Sequence, residues 1–189
     1  VNQIDKINIA YAELQMESQL ALTPSAFGLA SGIFFVGYAL AAVPSNHLIG
    51  RIGARPMLGS SLILWGFFSC ALAAVQNHAS LLLLRFCTGL AESGFFPGAA
   101  LFISAWYPNS AMGEATAVFM TGAGVGAVLA NASSGLIMSA MDGLAGVAGW
   151  RWLFLIQGAP ALLLGLLVFK FLPAAPADVH WLSASEQQL

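Results

Sequence analysis

Five apolar stretches, at about 26–48, 57–76, 80–107, 114–140 and 150–172, each reach or exceed the roughly 20 residues that a helix needs to cross a hydrocarbon core. In lipid every backbone N–H and C=O must be paired within the structure, which leaves helices or closed barrels, and these stretches are too long for barrel strands. The separators GRIGARP, QNHAS, YPNSAMGE and MDGLAGVAG are short, so consecutive helices run antiparallel. The opening VNQIDKINIAYAELQMESQ is too polar to span by itself and lacks the pattern of a secretory signal. It is expected to be a helix shorn of its beginning, which makes the chain a fragment. The expectation is an all-α membrane protein, a six-helix bundle over 1–172 with helices at about 1–20 and the five stretches above. Residues 173–189 would begin a cytoplasmic linker.

Composition excludes the soluble alternatives. Of 189 residues 59% are hydrophobic and 7% charged, with a mean hydropathy of +0.82. A water-facing domain carries about a quarter of its residues charged. The lipid bilayer is therefore the partner of this surface. A net charge of -2 without a basic stripe gives no reason to expect nucleic acid. Cys70 and Cys87 lie in apolar runs and are expected to be packed thiols, with no disulfide and no metal. Arg51, Arg55 and Lys170 outnumber Arg151, which places the 49–56 loop and both ends of the chain in the cytoplasm, in a multi-pass cell membrane protein (inner or plasma membrane). Trp150 and Trp152 are expected as anchors at the outer interface. The pairs Gly28/Gly32, Gly94/Gly98 and Gly122/Gly126, with Gly124 beside the last, are spaced for close helix packing. Pro97 and Pro160 should kink their helices.

Ionisable groups inside apolar runs cost about 2.5 kcal/mol or more each at the bilayer centre, so they face the interior or a partner. Arg85 and Glu92 are seven residues apart, two turns on one helix face, with Thr88 and Gly89 between them. Glu92 falls near the membrane middle. Asn2, Asp5 and Asn8 recur every third residue, Lys6 adjoins Asp5, and Tyr38 is centred in the second span. A buried guanidinium suits a carboxylate ligand, since it donates two parallel hydrogen bonds. A midplane carboxyl group suits proton coupling, because burial moves its titration toward physiological pH. The residues alone leave open two other readings. The charges could merely neutralise one another and hold the helices in register, or Arg85 could snorkel to the interface.

Five ordered segments carry a family resemblance: GIFFVGYALAAVPSNHLIGRIGARP (32–56), WGFFSCALAA (65–74), LRFCTGLAESGFFPGAALFISAWYP (84–108), GWRWLFLIQGAPALLLG (149–165) and PADVHWL (176–182). With DKINIAYA (5–12) they resemble the anion:cation symporter family of the major facilitator superfamily. The resemblance implies the amino-terminal six-helix half of a twelve-helix secondary transporter, whose second half is absent here. Small organic anions, such as sugar acids, aromatic acids or dicarboxylates, would enter with protons, and no cofactor is implied. Carried over by motif, Asp5 and Glu92 are the proton-coupling carboxylates. Lys6, Tyr38 and Arg85 contact substrate or hold those carboxylates. Arg51, Gly53 and Arg55 belong to the cytoplasmic gating loop, and Arg85-x-x-x-Gly89 matches the fourth-helix motif.

Three positions depart from the pattern. Lys6 stands where the family usually has arginine, which keeps the charge and loses the fork. Gly50 replaces the acidic residue of the superfamily loop. Met112-Gly113-Glu114 replaces common arginines. Two other classes of function compete: a complete half-size transporter or channel that dimerises, and an intramembrane serine hydrolase built on Ala132-Ser133-Ser134-Gly135. The hydrolase needs a base within reach of the serine, and none of His47, His78 and His180 is central in an apolar run.

Overall fold

The computed structural model describes residues 2–179, with side chains described from Asn8 onward except Ala177. The described chain is helical: α1 Asn2–Leu20, α2 Pro24–Ile52, α3 Ala54–Ala71, α4 His78–Glu92, α5 Phe95–Trp106, α6 Met112–Met141 and α7 Gly149–Phe171. Five spans are long and apolar enough to cross a membrane, and one of them, His78–Trp106, is α4 and α5 together. α1 is the sixth helix of the bundle. Of the expected linker, the described part holds one 3-10 turn, Pro176–Asp178.

The fourth span breaks at Ser93–Gly94. Pro97 explains the break: it has no N–H to give the carbonyl four residues back, Ser93, and its ring crowds that carbonyl. At Pro160, by contrast, α7 runs through as one helix. The α2–α3 connection is shorter than the sequence suggested. Arg51 closes the last turn of α2, Arg55 lies in the first turn of α3, and Gly53 alone joins them. Gly53 has φ 84 and ψ 174, a conformation essentially reserved for glycine. The expected gating loop is thus a one-residue elbow between two helices.

Two helix pairs form the frame. α3 lies along α7, where a Cβ at Gly66 would come within 2.6 Å of the Leu162 nitrogen and one at Gly165 within 2.6 Å of Ile63. α2 lies along α4, where a Cβ at Gly37 would strike the Phe86 carbonyl and one at Gly89 the Phe34 carbonyl. Backbones this close gain dispersion contacts, the main source of helix affinity in lipid. Of the glycines chosen from spacing, Gly126 is buried in α6. Gly94 and Gly98 do pack, against Met57 and Leu58, but Cβ atoms at Gly28, Gly32, Gly122 and Gly124 would meet nothing within 4 Å. Spacing fixes which residues share a helix face, and only the bundle decides which way that face turns.

α1 fits between α2 and the α6–α7 pair, and its buried Ile9, Ala12 and Met16 join a core with Phe27, Leu81, Trp150 and Phe154. Trp150 corrects the interface expectation: it is fully buried, and its indole N–H donates to Gln19 Oε1 at 2.9 Å. Arg151 stacks on the Trp150 ring, 4.3 Å from its centroid, and donates to the Ala73 and Val75 carbonyls. Trp152, only partly buried, donates to the Leu144 carbonyl.

Candidate functional site

The α2–α4 contact holds most of the expected site. Gly37 and Gly89 bring the two backbones together, so the side chains one turn away meet across the contact. Arg85 projects from α4 and is 2% exposed. Its guanidinium lies over the Phe34 ring of α2, 4.9 Å from the centroid, and its Nε donates to the Ala30 carbonyl at 3.4 Å. That geometry corrects the snorkelling alternative, because the side chain turns into the bundle. Tyr38 stands one turn beyond Phe34, with ring centroids 6.4 Å apart. Glu92 ends α4, is fully buried, and lies halfway along the span His78–Trp106. Tyr38 is within electrostatic reach of it. Arg85, Phe34, Tyr38 and Glu92 therefore form a file along one helix contact, from the α1–α2 end of the bundle to mid-membrane.

Beside Glu92 the helix break is tied to α2. The Ser93 and Ser45 hydroxyls are 2.8 Å apart, and Ser45 follows Pro44, the proline inside α2. The break in the fourth span thus meets α2, just past its internal proline, next to the buried carboxyl group.

On α1, Asp5 and Lys6 occupy helical positions, but their side chains lie outside those described. Asn8 is fully buried, and neither amide atom has a hydrogen-bond partner among the described residues. Buried polar atoms of this kind are uncommon and mark places where a structure carries more than packing. Arg85 also reaches an open cleft of about 270 Å3 between α1 and α2, lined by Ile9, Glu13, Gly28, Ser31 and Phe35 among others. Glu13, Gly28 and Ser31 were missed as site residues. An acid among the polar residues of α1 reads as a solvated residue, and sequence alone does not say that it shares a cleft with a buried arginine.

The residues assigned to gating sit elsewhere. Arg51 is exposed, and Arg55 donates through Nη2 to the Phe169 carbonyl in the last turn of α7. That bond satisfies a helix-end carbonyl that has no partner within its own helix.

Ser133 and Ser134 belong to the packing of α6 on α7. Their hydroxyls donate to the Leu129 and Ala130 carbonyls, and the Gln157 amide donates to both, at 2.9 and 3.1 Å. The partner that a hydrolase would need as a base is here an amide, which accepts no proton at neutral pH.

Comparison with known proteins agrees with this architecture. Among curated relatives, a "Putative tartrate transporter" of Agrobacterium vitis is 44% identical over 184 residues, 97% of this chain and 41% of that protein. A "Quinolone resistance transporter" of Acinetobacter baumannii is 39% identical over 188 residues, 100% of this chain and 43% of that protein. The chain thus spans about two-fifths of the length of these relatives. A solved bacterial homolog of the human lysosomal transporter Spinster, inward-facing and occupied, superposes with a TM-score of 0.86 at 24% identity, covering 93% of this chain and 42% of that one. At that identity the likeness speaks for the fold. These relatives are transporters, not enzymes. A profile described as Major Facilitator Superfamily matches residues 3–188, and with the helical bundle that it fits, the chain belongs to the major facilitator superfamily.

Proposed function

We propose that this chain is one half of a secondary transporter that moves a small organic anion together with a proton by alternating access. The observation that carries the reading is the placement of Arg85 and Glu92: two ionisable groups, 2% and 0% exposed, two turns apart on one face of a membrane-spanning helix. Charges at this depth are costly and are kept where they work. Arg85 supplies a planar donor for a carboxylate and reaches an open cleft. Glu92 loads a proton in one facing state and releases it in the other. Asp5 shares the proton role, and Lys6 and Tyr38 complete the anion site, a reading that rests on motif resemblance.

The exposed faces of α2 and α6, with Phe35, Val36, Leu40, Val125, Val128 and Leu129, are the surfaces against which a second six-helix half closes, leaving the substrate near the midplane. Relatives more than twice as long as this chain support a second half supplied by the same polypeptide rather than by a second copy. The Gly53 elbow, with Arg51 and Arg55 beside it, lies on the cytoplasmic side with both chain ends.

The test is reconstitution of the full-length parent protein in liposomes. An inward proton gradient should drive accumulation of at least one member of a panel of sugar acids, aromatic acids and dicarboxylates. Uptake that is indifferent to collapse of the gradient for every anion contradicts the coupling. Absence of uptake for the whole panel contradicts the substrate class.

A further inference from the structure

The cleft that Arg85 reaches has a second charged wall, which the anion reading leaves unused. Glu13 lines it from α1, together with Ile9 and Ala10, and these three share one helix face by their spacing of three and four residues. Ser31 and Gly28 line it from α2, and the Arg85 side chain, nearly all of which is buried, forms the floor. Glu13 is half-buried, and its side chain makes no hydrogen bond or ion pair among the described residues. Gly28 lines the cleft without a side chain, and an added Cβ there would meet nothing within 4 Å. At about 270 Å3 the cleft is below the roughly 300–1,000 Å3 of drug-sized sites and matches a small organic acid.

We infer that Glu13 is a specificity-determining residue: it selects solutes whose carboxylate is held by Arg85 and whose far end carries a hydrogen-bond donor, and it rejects dianions. The inference rests on the organic-anion reading above. A carboxylate paired with the guanidinium directs the remainder of the solute into a space walled by a second carboxylate. A hydroxyl or ammonium group placed there donates to Glu13, and the Ser31 hydroxyl can donate or accept beside it. A second carboxylate placed there meets the like charge of Glu13, which disfavours it. Discrimination of this kind comes from a repulsive element added to an attractive one. The substrate class is then hydroxylated or amphoteric monoanions, distinct from the dicarboxylate that the name of the Agrobacterium vitis relative would suggest.

Matched solutes test this in proteoliposomes of the full-length parent protein. Gluconate and glucarate have the same carbon skeleton and differ in a terminal hydroxymethyl against a carboxylate. The pair 4-hydroxybenzoate and terephthalate differ similarly on a rigid ring. The native protein should prefer the monoanion of a pair by about tenfold or more in competition for uptake. Glu13→Gln should narrow that ratio by about tenfold through better recognition of the dianion, and Glu13→Asp should restore it. Gly28→Phe, which adds a bulky ring to the lining of the cleft, should weaken uptake of both members without changing their ratio. A ratio unchanged by Glu13→Gln, a native preference for the dianions, or failure of both pairs while other organic anions are carried would overturn the role of Glu13. Loss of uptake for every organic anion would overturn the transport reading itself.

Discussion

The Arg85 guanidinium rests on the face of the Phe34 ring, 4.9 Å from its centroid, which ties a charge on α4 to an aromatic ring on α2 in the interior of the bundle. The stack orients the fork, and its Nε donates to the Ala30 carbonyl. A lysine here would keep the charge and lose both the stack and the bidentate geometry. Arg85→Lys should therefore raise the apparent KM for the anion by about tenfold or more, the loss of about 1.4 kcal/mol, while the protein still folds. Uptake kinetics beside a size-exclusion profile measure both. An unchanged KM would mean that Arg85 serves packing alone.

The glycine contacts make opposite predictions for substitutions that look alike in sequence. Gly89→Ala puts a methyl group into the Phe34 carbonyl and should force α2 from α4, at the roughly 1–3 kcal/mol typical of overpacking. Gly32→Ala meets open space and gains helix propensity, so it should be neutral or slightly stabilising. Melting temperatures of the two variants in detergent separate these cases, with Gly89→Ala the lower by several degrees.

The fold was largely legible because lipid simplifies the code: a run of apolar residues long enough to span is a helix, whatever its propensities. Finer features were hidden for physical reasons. The break at Ser93–Gly94 follows from Pro97, yet the same residue type at Pro160 leaves α7 unbroken, because neighbouring helices can restore what a proline removes. Trp150 looked like an interface anchor, but Gln19 on α1 supplies an acceptor for its indole N–H and so permits full burial. That partner is 131 residues away and leaves no mark in the local sequence. Arg85, Glu92 and Tyr38 could be read because charge and hydroxyl stand out in apolar runs. Glu13 could not, because it sits in a helix that already holds Glu17 and Gln15 and resembles a water-facing turn.

The Trp150 indole gives a prediction about stability. Trp150→Phe keeps the ring inside the core and deletes the donor to Gln19, whose exposed amide then turns to water, at about 1 kcal/mol. Gln19→Leu alone leaves the buried indole N–H without its acceptor, whereas added to Trp150→Phe it should cost little more, since the donor is already gone. A thermal-unfolding cycle over the four proteins reads the coupling, and strictly additive losses would contradict it.

Gly53 joins α2 to α3 in a backbone conformation that side chains avoid. Gly53→Ala should cost about 1–3 kcal/mol through strain alone, since an added Cβ there meets no neighbour. Arg55→Gln at the same elbow removes the donor to the Phe169 carbonyl. Both variants should melt at lower temperature. If the elbow also serves gating, Gly53→Ala should slow transport more than it lowers the amount of folded protein, and uptake normalised to folded protein distinguishes the two.

The central claim is that the carboxyl group of Glu92, sealed at mid-membrane, couples proton movement to anion movement. Its most direct measurement compares exchange with accumulation for Glu92→Gln in proteoliposomes of the full-length parent protein. Glutamine keeps the shape and hydrogen-bonding capacity but cannot release a proton. The variant should retain anion counterflow, which needs no net proton movement, and lose uphill uptake driven by a proton gradient. Proton-driven accumulation at the native level in Glu92→Gln would contradict the claim.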